Sequence, residues 1–539
     1  MKKSSFLEGA FIATFAIIFT KVLGVIYVIP FYSIIGEQGG ALYGYAYTIY
    51  TLFMSLATAG IPLAISKIVS EYQTLGYYNA KKRAFIIGKK AAALLGFVCF
   101  LVLILFAPLL AKAILGDLVG GNTIEDVTLV IRIISIALLV VPVLSIYRGY
   151  FEGHRFMSPP SISQVIEQII RVLIIVLGSY LTLKVFKLSL SSAVGVALIG
   201  ATVGALASYI YLVDKKIRNK KKFNEKVRNV NEPIITDKMI FRKLVVYAVP
   251  FILIDMFKAL YNYIDMVTVV KGLVDYAYFN VSDAETIMSM ISTWGSKFNM
   301  IILSISTGFI VSLIPNVTQS VVKKDTKDIN KKINQALSIL LFLMLPMTIG
   351  LSFLAEPVWM LFYGPSKYGA SVLAYFIFVG LIMGLFTATI SIVQVMKDYK
   401  TVFTSLITGV VIKLLLNTSM IGTFHQYGMP AYYGVITASI LAYLVSFIIC
   451  LVALHVKYKV DYEDTVKNFM DVLCGCMVMV VVLFLVKFVV PIVSASRIVN
   501  LFVIVVYALI GSLVYLLFVG RVGAIKNIFG HKLIKIFKK

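Results

Sequence analysis

Residues 91–111 read AAALLGFVCFLVLILFAPLLA, with Lys90 before them and Lys112 after. A helix rises 1.5 Å per residue, so this uncharged stretch reaches about 30 Å, the thickness of a bilayer's hydrocarbon core. It reads as a membrane span, and the same pattern recurs along the chain. Fourteen apolar runs are expected to cross, at roughly 6–34, 43–67, 88–115, 127–148, 160–183, 188–213, 243–270, 286–318, 334–360, 368–393, 401–421, 430–455, 468–490 and 498–520. Composition agrees: of 539 residues 60% are hydrophobic and 14% charged, against about 45–50% and about 25% in soluble proteins. Soluble enzyme classes are excluded. No connection is long enough for a soluble domain, and the longest, 214–242, reads as a charged linker.

Charge orients the runs. Of 50 Lys and Arg residues, 37 fall on the side that holds both termini and the even-to-odd connections. The positive-inside rule makes that side cytoplasmic. The net charge of +25 then has a lipid explanation: clusters such as Lys81-Lys82-Arg83 and the run from Lys215 to Lys222 are expected to face anionic headgroups, with no nucleic-acid partner. The N-terminal apolar run carries Glu8 and Lys21 and lacks a small-residue cleavage site, so it is expected to be the first span and not a secretory signal. Cys99, Cys450, Cys474 and Cys476 lie in apolar runs without metal-ligand spacing. There is no G-x-x-x-x-G-K-[ST] phosphate loop and no H-E-x-x-H. The expectation is a transporter without a resident cofactor, acting as a monomer in a bacterial plasma membrane.

Weak internal similarity recurs at an offset of about 245 residues. Ala59-Gly60-Ile61 matches Thr307-Gly308-Phe309, and Ile170-Arg171-Val172-Leu173 matches Ile412-Lys413-Leu414-Leu415. The expected architecture is an all-α integral membrane protein with fourteen transmembrane helices. They form two pseudo-symmetric six-helix bundles (1–213 and 243–455), a basic cytoplasmic linker (214–242), and a C-terminal helix pair with a basic tail (456–539). Parallel repeats suit transporters that rock two bundles about a midplane site.

Six cations fall inside runs: Lys21, Arg132, Arg171, Lys258, Lys297 and Lys413. Each costs about 2.5–3.5 kcal/mol at the bilayer centre on insertion scales, so each needs protein, water or an anion. Arg132, near a span end, can snorkel. Glu167 and Arg171 are spaced i, i+4 and Asp255 and Lys258 i, i+3, so both pairs can form on one helix face. Lys413 and Asp265 can pair across helices. Lys21 and Lys297 have no obvious acid and are expected to converge on an aqueous cavity that binds a polyanionic headgroup, Lys suiting phosphate as a compact charge. The bland alternative is an inter-helix carboxylate or snorkelling. Tyr27, Tyr32, Tyr43, Tyr45, Tyr47 and Tyr50 read first as an interfacial aromatic belt and second as the lining of a sugar-binding cavity.

The stretch Tyr147-Arg148-Gly149-Tyr150-Phe151-Glu152-Gly153, followed by Met157-Ser158-Pro159 and by Ser163-Gln164-Val165-Ile166-Glu167-Gln168-Ile169-Ile170-Arg171-Val172, resembles the polysaccharide-transporter group. That group contains stage V sporulation protein B and the MurJ-type lipid II flippases. Phe19-Thr20-Lys21-Val22-Leu23-Gly24, Asn262-Tyr263-Ile264-Asp265 and Leu313-Ile314-Pro315-Asn316 add weaker matches. The resemblance implies the multidrug/oligosaccharidyl-lipid/polysaccharide exporter fold, a cationic cavity for a polyprenyl-diphosphate-linked saccharide, and a lipid-tail groove on the last two helices. It places Lys21 and Lys297 at cavity-cation positions, while Tyr27, and Phe53 or Met54, stand where relatives have arginine. It also implies a coupling-ion region among spans 7, 11 and 12, where Asp265 and Asn417 are the candidate ligands and Lys413 a tethered cation. Sodium, protons or the membrane potential remain open as the energy source.

The leading reading is a flippase that moves an undecaprenyl-diphosphate-linked cell-wall precursor, lipid II first, by alternating access. Its expected substrate-binding residues are Lys21, Lys297, Tyr27, Arg171 and Lys258, with Asp265, Asn417 and Lys413 as coupling-ion or switch residues. Other polyprenyl-linked saccharides (teichoic acid, capsule, spore cortex), a cation/drug antiporter of the same fold, and a glycosyltransferase or scaffold with an essential carboxylate at Asp117, Asp283 or Glu285 stay as competitors.

Overall fold

The computed structural model describes residue 16 and residues 19–58, 60–116, 120–223, 232–323, 325–492 and 496–529. The start of the first expected span, Asp117, the middle of the linker and the basic tail lie outside these residues. The described chain is helical, with no strand among its elements. Residues 19–26 are helical. Then follow α1 (Val28–Thr58), α2 (Ile61–Thr74), α3 (Tyr78–Leu115), α4 (Ile124–Ser135), α5 (Ala137–Gly153), α6 (Ser158–Leu173), α7 (Leu190–Arg218), α8 (Asp237–Ala277) and α9 (Val281–Ser289). The second half holds α10 (Gly295–Val322), α11 (Thr326–Phe353), α12 (Ala355–Tyr363), α13 (Gly369–Val395), α14 (Tyr399–Gln426), α15 (Tyr432–Tyr458), α16 (Glu463–Lys487), α17 (Arg497–Val522) and α18 (Ala524–Phe529).

Among the described residues, 12 helical runs are long and apolar enough to cross a bilayer. The first of them, Val28–Thr74, has 47 residues, which at 1.5 Å each would extend about 70 Å, more than twice the hydrocarbon thickness. It is broken at two glycines. Gly36 has φ 68° and ψ −171° and kinks α1 where the sequence places the connection between the first two spans. Gly60 has φ 71° at the start of α2. Both conformations favour glycine, which has no Cβ to clash.

The chain divides into two compact units: residues 1–271 with 280–286, and residues 272–279 with 287–539. In the first unit, glycines one turn apart let helices meet backbone to backbone, as small residues do in membrane bundles. A Cβ at Gly149 of α5 would lie 2.4 Å from Pro62 O, and one at Gly153 would lie 2.6 Å from Ser66 O, so α5 lies directly on α2. On α7, a Cβ at Gly204 would meet Glu167 O at 2.6 Å and one at Gly200 would meet Arg171 O at 3.0 Å. Ser208 continues that stripe and donates to Ser163 O at 2.9 Å. Residues 208, 204 and 200 of α7 therefore run antiparallel along residues 163, 167 and 171 of α6, one contact per turn.

The linker corrects one expectation. Lys81 does not face headgroups: it is fully buried, donating to Gln73 Oε1 at 2.7 Å and to Phe223 O at 2.5 Å. Arg83 reaches Asp237 and the Ile235 carbonyl. Glu232 accepts from the Asn79 and Ala80 amides, capping α3. These basic residues tie the linker down.

In the second unit, Asn299 of α10 donates to Phe376 O at 3.1 Å and Ser306 to Gly384 O at 2.7 Å, anchoring α10 on α13. The last pair packs on α11 through Asn468 to Ser338 (3.0 Å) and Tyr515 to Phe342 O (2.8 Å). Its other faces expose Phe484, Leu485, Leu509 and Leu513.

Gly149→Val should place a branched side chain against Pro62 and cost about 1–3 kcal/mol, the usual range for overpacking. The check is the melting temperature of the purified protein in detergent, which should fall well below that of a Leu105→Val control on the exposed face of α3.

Candidate functional site

The stripe of α6 facing α7 brings a charged cluster into the first unit. Glu167 accepts from Arg171 Nη2 at 2.5 Å, the i, i+4 pair expected from the sequence. It also accepts from Arg148 Nη2 of α5 at 2.7 Å. Arg148 further donates to Ser163 Oγ at 3.0 Å and Ser208 Oγ at 3.1 Å. Two guanidiniums thus share one carboxylate, and the triad keeps a net charge of +1. All three side chains are mostly buried, at 12–21% exposure. The Arg171 Nε donor is buried without a hydrogen-bond partner among the described residues. Sequence spacing pointed to Arg171 and Glu167 but not to Arg148, whose role depends on a helix pairing that spacing does not encode.

Around Arg171 stand tyrosines from α1. Tyr43 and Tyr47 stack with ring centres 5.6 Å apart and 12° between planes, and Tyr50 follows at 6.0 Å. The hydroxyls of all three lie within electrostatic range of Arg171. Tyr27 hydrogen-bonds Tyr43 and sits 6.2 Å from Phe31, which meets Tyr43 edge-on at 5.2 Å. Tyr27, Tyr32, Tyr43, Tyr45 and Tyr50 are buried. Five of the six tyrosines expected to form a lipid-facing belt thus pack inside the protein and Tyr47 is half-buried, a place where Tyr is used when its apolar body packs and its hydroxyl finds a partner.

Lys21 lies half-buried on the helical stretch 19–26. A Cβ on Gly24 of the same stretch would lie 3.5 Å from Gln168 Nε2. Lys21 and Gly24 share a helix face, as do Gln168 and Arg171, so the stretch that carries Lys21 runs along the face of α6 that carries Arg171. Lys258 has an acid partner, but only loosely: it is 3.9 Å from Asp255, with the two side chains 37% and 51% exposed. Asp265 is buried in α8.

In the second unit Lys297 is half-buried on α10 and does interact with its surroundings, so it is not the isolated charge the sequence suggested. Lys413 and Asn417, one turn apart on α14, are fully buried. Lys413 donates to Ser439 Oγ at 2.5 Å and to Val435 O at 3.3 Å on α15. Its ammonium thus has a hydroxyl and a carbonyl oxygen of α15 among its acceptors. No group of three or more His, Cys, Asp or Glu able to hold a metal occurs among the described residues.

Glu285 of α9, one of the acids an outer-face enzyme would need, is buried. It accepts from the Asn122 amide N at 3.0 Å, Asn122 Nδ2 at 2.9 Å and Tyr45 OH at 3.2 Å. That carboxylate anchors the 280–286 segment in the first unit and leaves no open face for a glycosyl-transfer acid.

Buried cations, stacked tyrosines and glycine-packed helices on a multi-pass scaffold define a helical membrane transport protein. Residues 6–304 match the family model described as "Polysaccharide biosynthesis protein", and residues 276–520 the one described as "Lipid II flippase MurJ". The lipid II flippase MurJ of Bacillus subtilis (strain 168) is 33% identical over 99% of both chains. Stage V sporulation protein B of the same organism is 30% identical over 42% of this chain and 43% of its own. A solved lipid II flippase MurJ in an inward closed conformation superposes with TM-score 0.69, at 18% identity over 95% and 98% of the chains. An inward-facing multidrug resistance MATE family transporter of the MOP superfamily superposes with TM-score 0.63, at 10% identity over 81% and 94%. The chain belongs to the MurJ family.

Glu167→Ala should leave two buried guanidiniums facing each other and cost about 3–5 kcal/mol, as expected when one partner of a buried ion pair is removed. Asp255→Ala, at a long and exposed pair, should cost under about 1 kcal/mol. Thermal unfolding of both variants in detergent checks the contrast.

Proposed function

We propose that the protein is a flippase that carries lipid II, a polyprenyl-diphosphate-linked cell-wall precursor, from the inner to the outer leaflet of the bacterial plasma membrane. The observation that supports this best, beside the full-length relationship to a lipid II flippase, is the sign of the charge in the first unit. Arg148 and Arg171 share a single carboxylate, and Lys21 has no acid partner among the described residues. A cation/drug antiporter needs the opposite polarity. A diphosphate supplies the anion that this excess positive charge lacks, and Tyr47, the half-buried ring of the Tyr43–Tyr47 stack, offers a flat apolar face on which a sugar ring packs.

In this reading the headgroup crosses by alternating access while the lipid tail stays in the bilayer, along the exposed apolar faces of α16 and α17. This reading counts fourteen crossings, supported by the 12 recognised runs, the kink at Gly36 and the helical run from α9 through α10. The two six-span halves are pseudo-symmetric, both termini are cytoplasmic, and the monomer is the working unit in a membrane with anionic headgroups. Lys297 contributes the cation of the second half and Lys258 a weaker one. Lys413 stands in for a coupling sodium ion, since its ammonium already holds the oxygens of Val435 and Ser439. That arrangement does not fit a bound sodium ion, and the membrane potential or protons drive the cycle.

In a strain depleted of its own lipid II flippase, this protein should restore growth and the appearance of lipid II in the outer leaflet. Lys21→Ala and Arg171→Ala should each lower outer-leaflet lipid II at least tenfold at equal protein level. Wild-type rates alongside correctly folded variants would remove the cationic site from the mechanism. Flipping by proteoliposomes should persist when potassium replaces sodium on both sides.

A further inference from the structure

Along α2 the outward positions form a polar stripe. Ser66, Ser70 and Thr74 follow one another at i, i+4, and Lys67 and Glu71 form a second i, i+4 row beside them. The opposite face (Ala64, Ile65, Ile68, Val69 and Tyr72) is buried. Within an apolar run such a stripe is costly against lipid, and here it lines an open cleft of about 720 Å³ whose far wall includes Glu152 of α5. The glycine contact of α5 on α2 at Gly149 and Gly153 holds the two walls together.

The charged residues lining the cleft are Lys67, Glu71 and Glu152, and one of them is spoken for. Glu71 accepts from Lys243 Nζ at 2.6 Å. Lys67 has no acid partner among the described residues; its ammonium sits 4.0 Å from the centre of the Tyr247 ring. The Glu152 carboxylate has no hydrogen-bond donor among the described residues, and its neighbouring cation, Arg148, is committed to Glu167. One uncommitted ammonium and one uncommitted, half-buried carboxyl group therefore face the same open space beside three hydroxyls and the side chains of Leu63 and Leu75. With Glu71 neutralised by Lys243, a bare diphosphate would meet Lys67 but gain nothing from Glu152. A neutral saccharide would leave both groups unmatched, and a purely cationic ligand would be repelled by Lys67. The ligand complementary to the whole set carries carboxylate and ammonium groups together, as a short peptide does.

We infer that the α2–α5 cleft is a peptide-recognition subsite, in which Lys67 and Glu152 read the charged groups of the headgroup's peptide. This inference rests on the flippase reading and refines it. The diphosphate and sugars are held by the cation–tyrosine site, and the cleft selects headgroups that bear a peptide. Selection arises here because a headgroup without a peptide leaves the cleft's charges facing only water, which forgoes the gain without adding a clash.

The test uses the full-length protein in lipid nanodiscs with two probes: lipid II, and the same polyprenyl-diphosphate disaccharide lacking its peptide. The wild type should bind lipid II about tenfold more tightly than the peptide-free lipid. Lys67→Gln and Glu152→Gln should each reduce that ratio to near one by weakening lipid II binding, with melting temperatures unchanged. Lys67→Arg, which keeps the charge, should retain the preference. A wild-type ratio near one, or variants that weaken both lipids equally, would overturn the subsite. Absence of binding to both probes by the wild type would instead strike at the flippase reading.

Discussion

Charge in hydrocarbon is the constraint on which the structure turns. A Lys or Arg at mid-bilayer costs about 2.5–3.5 kcal/mol on insertion scales, and the apolar runs of this chain carry six. The fold answers in three ways. Lys413 is surrounded by backbone and hydroxyl oxygens on α15. Arg148 and Arg171 converge on one carboxylate. Lys21 keeps an exposed share of its surface and no acid among the described residues. The first answer is structural. The second and third leave an excess of positive charge, which the proposed anionic cargo would balance.

Small residues make this arrangement buildable. Without side chains at Gly200 and Gly204, α7 can approach the α6 backbone at Arg171 and Glu167, which turns the Ser163, Glu167, Arg171 row along the helix contact and within reach of Arg148. The same device at Gly149 and Gly153 sets α5 on α2 and creates the walls of the mixed-charge cleft. One helix, α5, thus serves both places: Arg148 points to the triad and Glu152, one turn on, to the cleft. A shift of α5 would be felt at both, which gives a physical route by which occupancy of the cleft could influence the cationic site.

Much of this was legible in the sequence because membrane insertion leaves a one-dimensional record. Span length, charge asymmetry and the i, i+4 spacing of Glu167 and Arg171 all survive projection onto a string. What failed depended on contacts between distant segments. Lys81 reads as a headgroup-facing cation until the carbonyl of Phe223, 142 positions away, is seen to accept from it. The early tyrosines have the composition of an interfacial belt, and only their burial shows that they line the interior. Arg148 belongs to the recognised motif, yet its sharing of Glu167 needs α5 and α6 to be adjacent. Asp255 and Lys258, by contrast, do form the i, i+3 pair that their spacing suggests, at 3.9 Å and partly exposed.

What most needs testing is whether water and an anionic ligand reach the excess positive charge of the first unit during the transport cycle, since Lys21 is half-buried and Arg171 mostly buried in this structure. In a background with Cys99, Cys450, Cys474 and Cys476 replaced, single cysteines at positions 21 and 171 can be exposed to a charged, membrane-impermeant thiol reagent, with Leu105→Cys as a lipid-facing control. The account predicts that positions 21 and 171 react, that position 105 does not, and that added lipid II protects the first two. Reaction at position 21 or 171 no faster than at 105, or unaltered by lipid II, would contradict it.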